Sequence, residues 1–256
     1  MSNAESPLFV NAIAKCFKVL DVFDGPKRQM TMVEIAQESG LDRSAAQRMV
    51  FTLETLGYLA RVPGTKTYAL TSRLLSFSYN YVRSHQLISK AMPYLQELST
   101  TFNETVNLQE LDHTEIVLIA RVVSPHLLNV RVAVGSRLPT FCTASGTAIL
   151  ASLPTAHRDR VLADSKLVPL TPHTEIQRKK LIARIEHAAL KGYSIVADQA
   201  VIGDISLAAP VIGSDGLPRA AVNISVPSNR WTVDSVERKM AKHVQAAARA
   251  LSVDTQ

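Results

Sequence analysis

Three groups of residues have types and spacings that could do chemistry. The first is Arg43-Ser44-Ala45 with Gln47 and Arg48. Arginine can bond bidentately to a guanine edge, glutamine to an adenine edge, and serine to a phosphate oxygen. Thr31, at a helix start, suits the phosphate backbone because free helix amides attract an anion, and Lys66, at a hairpin tip, could reach the backbone or the minor groove. The second group is the segment TFCTASG at 140–146. Its small residues keep the backbone accessible ahead of a helix, and free amides there form a natural site for a carboxylate. The third is Cys142 with a histidine such as His113 or His126, which could make a nucleophile pair. A lone cysteine before a helix more often packs or lines a pocket. The seven histidines show no HxxxH or HExxH spacing, and there is no phosphate loop or Rossmann glycine pattern, so no metal or cofactor is expected.

These groups need elements to position them. Ile13, Phe17, Leu20 and Phe23 recur at helical spacing, and Asp24-Gly25-Pro26 closes that first helix. A second helix starts at Thr31, with Glu34 in capping-box position, carries Val33, Ile35 and Ala36, and stops at Ser39-Gly40. A third starts near Asp42, whose carboxylate can cap Ala45 and Ala46, and runs to Gly57. Ile35, Ala36, Leu41, Met49, Leu53 and Leu56 are the residues expected to pack these helices together. That leaves the polar start of the third helix exposed. YLARVPGTKTYAL then alternates around Pro63-Gly64 as a two-stranded hairpin. Three helices, a glycine turn and a hairpin are the layout of a winged helix-turn-helix, whose third helix enters a major groove.

Residues 71–98 read as helical again, with a break at Ser84-His85-Gln86 and a kink or new turn at Pro93. Beyond them, strands are expected at 105–110, 115–123, 129–133, 193–197, 205–211 and 219–226. Helices are expected at 144–152, 155–163, 175–191 and 234–252. Short connections favour a largely antiparallel sheet flanked by helices. The predicted fold class is α+β: a winged helix-turn-helix over 1–70, a linker helix over 71–88 and an antiparallel-sheet domain over 89–256. Asn223 and Ser225, two apart on one strand, point to the same face.

The bulk properties agree. The 256 residues are 46% hydrophobic and 20% charged, with a net charge of +6, a balance that favours a polyanionic partner. No apolar run approaches the roughly 20 residues of a membrane helix, and MSNAESPLFV shows no secretion signal. Two distant cysteines, Cys16 and Cys142, make no disulfide framework, so a reducing, cytoplasmic location is expected.

Residues 31–59 resemble the helix-turn-helix of the IclR family of bacterial regulators. The likeness is carried by Glu34-Ile35-Ala36, Gly40-Leu41, Arg48, Leu53 and Leu56-Gly57-Tyr58, and continues in Tyr68-Ala69-Leu70-Thr71. It extends through Ala120-Arg121, Gly135-Ser136-Arg137-Leu138-Pro139, Ala144-Ser145-Gly146, Gly192-Tyr193, Ala209-Pro210-Val211 and the run 220–225. The resemblance implies a GAF-like effector-binding domain. There, amides of Ala144, Ser145 and Gly146 would face polar side chains of Ser206, Asn223 and Ser225, with Cys142 and Asp198 nearby. The sequence departs from the family at Asp198-Gln199, where an acidic cluster is reduced, and at Asp204, where many members have leucine. GSRLP followed by an aromatic and Cys-Thr is similar to the subgroup that controls aromatic-acid catabolism through the β-ketoadipate pathway. Arg137 could neutralise such an acid or form a structural ion pair. The implied partners are double-stranded DNA with a partly palindromic operator, a small aromatic or dicarboxylic acid effector, and a second copy as homodimer or dimer of dimers. The alternatives are an architectural DNA-binding oligomer without a ligand and a cysteine-dependent hydrolase.

Overall fold

The computed structural model describes residues 6–25, 27–125 and 132–253, which divide into two compact units between Tyr81 and Val82. In the first unit, α1 (Asn11–Asp21) ends in a short 3-10 turn at Val22–Asp24. Pro26, expected to help end that helix, lies outside the described residues. A two-residue strand, β1 (Met30–Thr31), precedes α2 (Met32–Ser39). The capping box is complete: Thr31 Oγ1 accepts from the Glu34 amide at 3.3 Å, and the Thr31 amide donates to Glu34 Oε2 at 2.8 Å. Gly40 then turns the chain at φ +66°, a left-handed value that glycine adopts without a Cβ penalty. Asp42 caps α3 (Arg43–Thr55) by accepting from the Ala45 amide at 2.8 Å. The hairpin follows as β2 (Leu59–Arg61) and β3 (Thr67–Leu70), with β3 central between β1 and β2.

Val19, Phe23, Met30, Ile35, Val50, Leu53, Leu59 and Tyr68 form the core of this unit. Leu41 and Met49 pack against it as expected. Leu56, also expected to pack, is exposed, as is Val33 of α2. Two residues along a helix turn by about 200°, so Val33 lies opposite Ile35, and Leu56 is the C-cap residue where the chain leaves α3. Ile13 and Phe17 are also exposed, because Val19 and Phe23 take the inward face of this segment.

α4 (Leu75–Ser84) crosses the boundary between the units, and α5 (Gln86–Phe102) begins after the break at His85, with Pro93 inside it. The second unit is a six-stranded antiparallel sheet. Its strands are β4 (Thr105–Asp112), β5 (Glu115–Val122), β6 (Arg137–Pro139), β7 (Ser194–Ala197), β8 (Asp204–Ile212) and β9 (Pro218–Pro227), in the order β6-β5-β4-β9-β8-β7. The helices are α6 (Ala144–Ser152), α7 (Thr155–Asp164), α8 (Arg178–Lys191) and α9 (Val233–Val253). Of the strand expected at 129–133, residues 129–131 lie outside the described residues, and Val132 and Ala133 carry no strand.

The sheet buries both faces. Val106, Leu108, Leu207, Ala209, Val222 and Ile224 pack with residues of α5 and α9, such as Leu95, Met240 and Val244. On the other face Ile116, Val196, Ala208 and Ala221 pack with Ala144, Ala148 and Ile149 of α6. Gly146 lets the first turn of α6 fold back on the 3-10 turn at Thr140–Cys142 just before it: a Cβ there would fall 2.1 Å from the Thr140 carbonyl oxygen.

Candidate nucleic-acid interface and ligand pocket

The exposed surface of α3 is polar at its start. Arg43, Ser44, Gln47 and Arg48 are exposed, Ala45 is half-buried, and Ala46 and Val50 turn into the core. Arg43, Ser44, Gln47 and Arg48 border one shallow groove with Phe51 and Tyr68. Lys66 is exposed in the β2–β3 turn, which Thr65 closes through its amide to the Val62 carbonyl at 3.1 Å. Thr31 is committed otherwise: its hydroxyl serves the capping box and donates to Glu34 Oε2 at 2.9 Å. Phe51, 68% exposed and one turn beyond Arg48, belongs to the same surface and was not singled out from sequence. An apolar residue at helical spacing gave no signal separating it from the core.

In the second unit a cavity of about 70 Å³ lies between the start of α6 and one face of the sheet, room for several waters or one small organic molecule. Antiparallel register brings its polar wall together. Asn223 sits opposite Asn107 and Ala208, and Ser225 opposite Thr105 and Ser206. Ser206, Asn223 and Ser225 line the cavity, as do Cys142, Ala144 and Ser145. Asn107 Nδ2 donates to Asn223 Oδ1 at 2.7 Å, while Asn107 Oδ1 is buried with no hydrogen-bond partner among the described residues. Ser145 Oγ donates to Gln109 Oε1.

Two sequence-named residues sit outside the cavity wall. Gly146 is buried in packing, and its amide already donates to Thr143 Oγ1 at 3.2 Å. The open amides of the first turn are therefore those of Ala144 and Ser145. Asp198, at φ +57°, organises the β7–β8 turn, where Oδ1 accepts from the Gly203 amide at 2.6 Å. The acidic residue that lines the cavity is instead Asp204. Thr105, Asn107 and Gln109 also line it and were missed, although their alternate spacing carries the same signal as Asn223 and Ser225.

The nucleophile pair is not assembled from Cys142 and His113. Burial pushes the Cys142 thiol up to about 11, and its Sγ lies 3.7 Å from the Pro139 carbonyl oxygen. His113 projects from the β4–β5 turn, 93% exposed and beside Asp112. His126 lies outside the described residues. Arg137 is held by Asp112 and by Glu115 at 3.2 Å, the structural ion pair rather than a ligand contact.

Comparison with known proteins decides the family. Residues 12–63 match the IclR helix-turn-helix domain, and residues 79–253 match the bacterial transcriptional regulator IclR C-terminal domain. The chain belongs to the IclR family. It is 30% identical to the Pca regulon regulatory protein of Pseudomonas putida, over 96% of this chain and 84% of that protein. A transcriptional regulator from Rhodococcus sp. RHA1 superposes with a TM-score of 0.79 at 31% identity, covering 96% of this chain and 98% of that one. An IclR homolog from Microbacterium hydrocarbonoxydans, solved with 4-hydroxybenzoate, shares the fold at a TM-score of 0.75 and 22% identity, covering 95% and 98% of the two chains. IclR-family proteins are DNA-binding transcription regulators, so this chain is a regulator and not an enzyme.

Proposed function

We propose that this IclR-family chain binds a partly palindromic operator as a homodimer or dimer of dimers and changes its occupancy when a small organic acid fills the cavity beneath α6. Residues 1–70 are assigned to DNA, 71–88 to a linker helix, and 89–256 to effector binding and oligomerisation. Arg43, Gln47 and Arg48 would meet base edges with Ala45 beside them in the groove, Ser44 and the α2 start at Thr31 would meet phosphate, and Lys66 would reach the backbone or the minor groove. The observation that carries the effector reading is the convergence of Ala144, Ser145, Ser206, Asn223 and Ser225 on one cavity. Helix-start amides and polar strand side chains together fit a carboxylate.

The proposed effector is an aromatic or dicarboxylic acid and the proposed target a catabolic operon; in support, one relative is a Pca regulon regulatory protein, and one fold neighbour was solved with 4-hydroxybenzoate. The chain is assigned to the cytoplasm, where its DNA is. Among the described residues no helix is long and apolar enough to cross a membrane.

A thermal-shift screen of small organic acids, repeated as a gel shift on DNA flanking the gene, tests this reading. A native-state ligand raises the melting temperature. An acid that does so and alters the DNA complex is the expected result. DNA binding that no acid alters, with no acid raising the melting temperature, would favour the architectural alternative.

A further inference from the structure

The cavity wall holds two charged side chains that the family-matched polar set does not include, Arg121 and Asp204. Arg121 arrives there through an irregularity of the sheet. Leu108 faces Ala120 while Gln109 faces Leu118, so Ile119 is an extra residue on β5. Ile116 and Leu118 face the cavity, Ile119 and Ala120 both join the opposite core, and Arg121 returns to the cavity side. A bulge reverses the alternation beyond it in this way.

Arg121 is half-buried and, among the described residues, donates no hydrogen bond and makes no close ion pair. Burial pulls its pKa down, and the charge of Asp204 opposes that. A guanidinium has five donors, and withdrawing them from water without partners is costly. Asp204 is differently placed. Its Oδ2 accepts from Ser206 Oγ at 2.7 Å and its Oδ1 accepts from Ser225 Oγ. Each carboxylate oxygen retains a second acceptor site. Burial pushes this carboxyl up, the two serines pull it down, Asp198 adds to the rise and Arg121 opposes it.

We propose that the cavity selects a small organic acid with one carboxylate and a separate hydroxyl, the carboxylate pairing with Arg121 and the hydroxyl donating to Asp204. The proposal rests on the effector reading above and chooses within it. A dicarboxylate would bring its second anion against Asp204, where like charges withdrawn from water repel. Asp204 thereby acts as a specificity residue, at a position where leucine would offer neither acceptor nor charge.

Titration calorimetry of the full chain tests this, with 4-hydroxybenzoate and lactate as hydroxy acids and benzoate and adipate as comparisons. At least one hydroxy acid should bind, and where 4-hydroxybenzoate binds, benzoate should be weaker by about tenfold or more. Arg121→Met should weaken the bound hydroxy acid by about thirtyfold or more, with unchanged unliganded melting temperature and DNA binding. Asp204→Asn should raise adipate affinity, and Asp204→Leu should remove the preference for a hydroxyl. Undiminished binding by Arg121→Met, or wild-type preference for adipate, would overturn this proposal and leave the effector reading intact. Failure of all four acids to bind at millimolar concentration would overturn this proposal, and failure of every acid in the thermal-shift screen would overturn the effector reading as well.

Discussion

At the residue scale, the two arginines at the start of α3 differ from Thr31 because, among the described residues, no hydrogen bond or ion pair occupies their side chains. Arg43 and Arg48 are exposed, and neither is engaged as Thr31 is in its capping box. Truncating either one should therefore leave folding alone and act on DNA. Arg43→Ala and Arg48→Ala should each weaken operator binding by ~1–3 kcal/mol if the side chain reads a base. A titration by fluorescence anisotropy at fixed salt measures this, and a uniform loss across unrelated sequences would reassign the residue to phosphate. Cys142 shows the opposite case. Its side chain is packed among Phe141, Leu150 and Leu181, and a thiol held at about 11 is almost wholly protonated at neutral pH. Its part in the cavity is to supply wall.

At the element scale, α2 depends on its first turn. The Glu34 carboxyl is held well below the ordinary 4.5, at about 2, first by Lys27 and then by the Thr31 amide and hydroxyl. A depressed folded-state pKa stabilises the fold above the ordinary carboxylate pKa and loses that contribution as pH falls towards the folded value. The urea midpoint of the wild type should therefore fall more steeply than that of Glu34→Gln between pH 4.5 and about 2. Parallel curves would show that the box adds no charge-dependent stability. Thr31→Ala should cost ~1 kcal/mol at neutral pH through the lost cap. Legibility also varies by element. The α2 capping box, the Asp42 cap and the Pro63-Gly64 hairpin were readable because each is fixed by residues within four positions of one another. The strands β1 and β6, of two and three residues, were not, because so short a segment shows no alternation.

At the scale of the whole molecule, exposed apolar and aromatic side chains gather along two helical segments among the described residues. α1 and the segment before it expose Leu8, Phe9, Val10, Ile13 and Phe17, and α4 exposes Leu75, Phe77, Tyr79 and Tyr81. Some of this is used within the first unit, where Phe77 stacks on Tyr58 at 5.9 Å between centroids. The α1 stripe, with Phe17 60% exposed, is the surface on which the proposed self-association is tested. Phe17→Glu should lower the oligomeric state or weaken self-association severalfold while leaving thermal stability of the isolated chain unchanged. Sedimentation velocity across a concentration series checks it, and an unchanged profile would move the seam elsewhere.

The winged helix-turn-helix and the order of the sheet domain's main elements were legible from the residues alone. Caps, glycine turns and periodicity are local, and the family resemblance runs along most of the chain. The sequence also indicated the strand face of Asn223 and Ser225, since alternation needs only one strand. Tertiary structure decided which neighbours share that face. Thr105 meets Ser225 through pairing across more than a hundred positions, and Ser206 meets Ser225 from the strand next in the chain. Arg121 reaches the cavity only because one extra residue on β5 turns its side chain over. Asp204 replaces Asp198 at the wall because Asp198 is used by the turn beside it. Register and bulges depend on how distant strands meet, so no reading of one strand at a time could have placed these two charges.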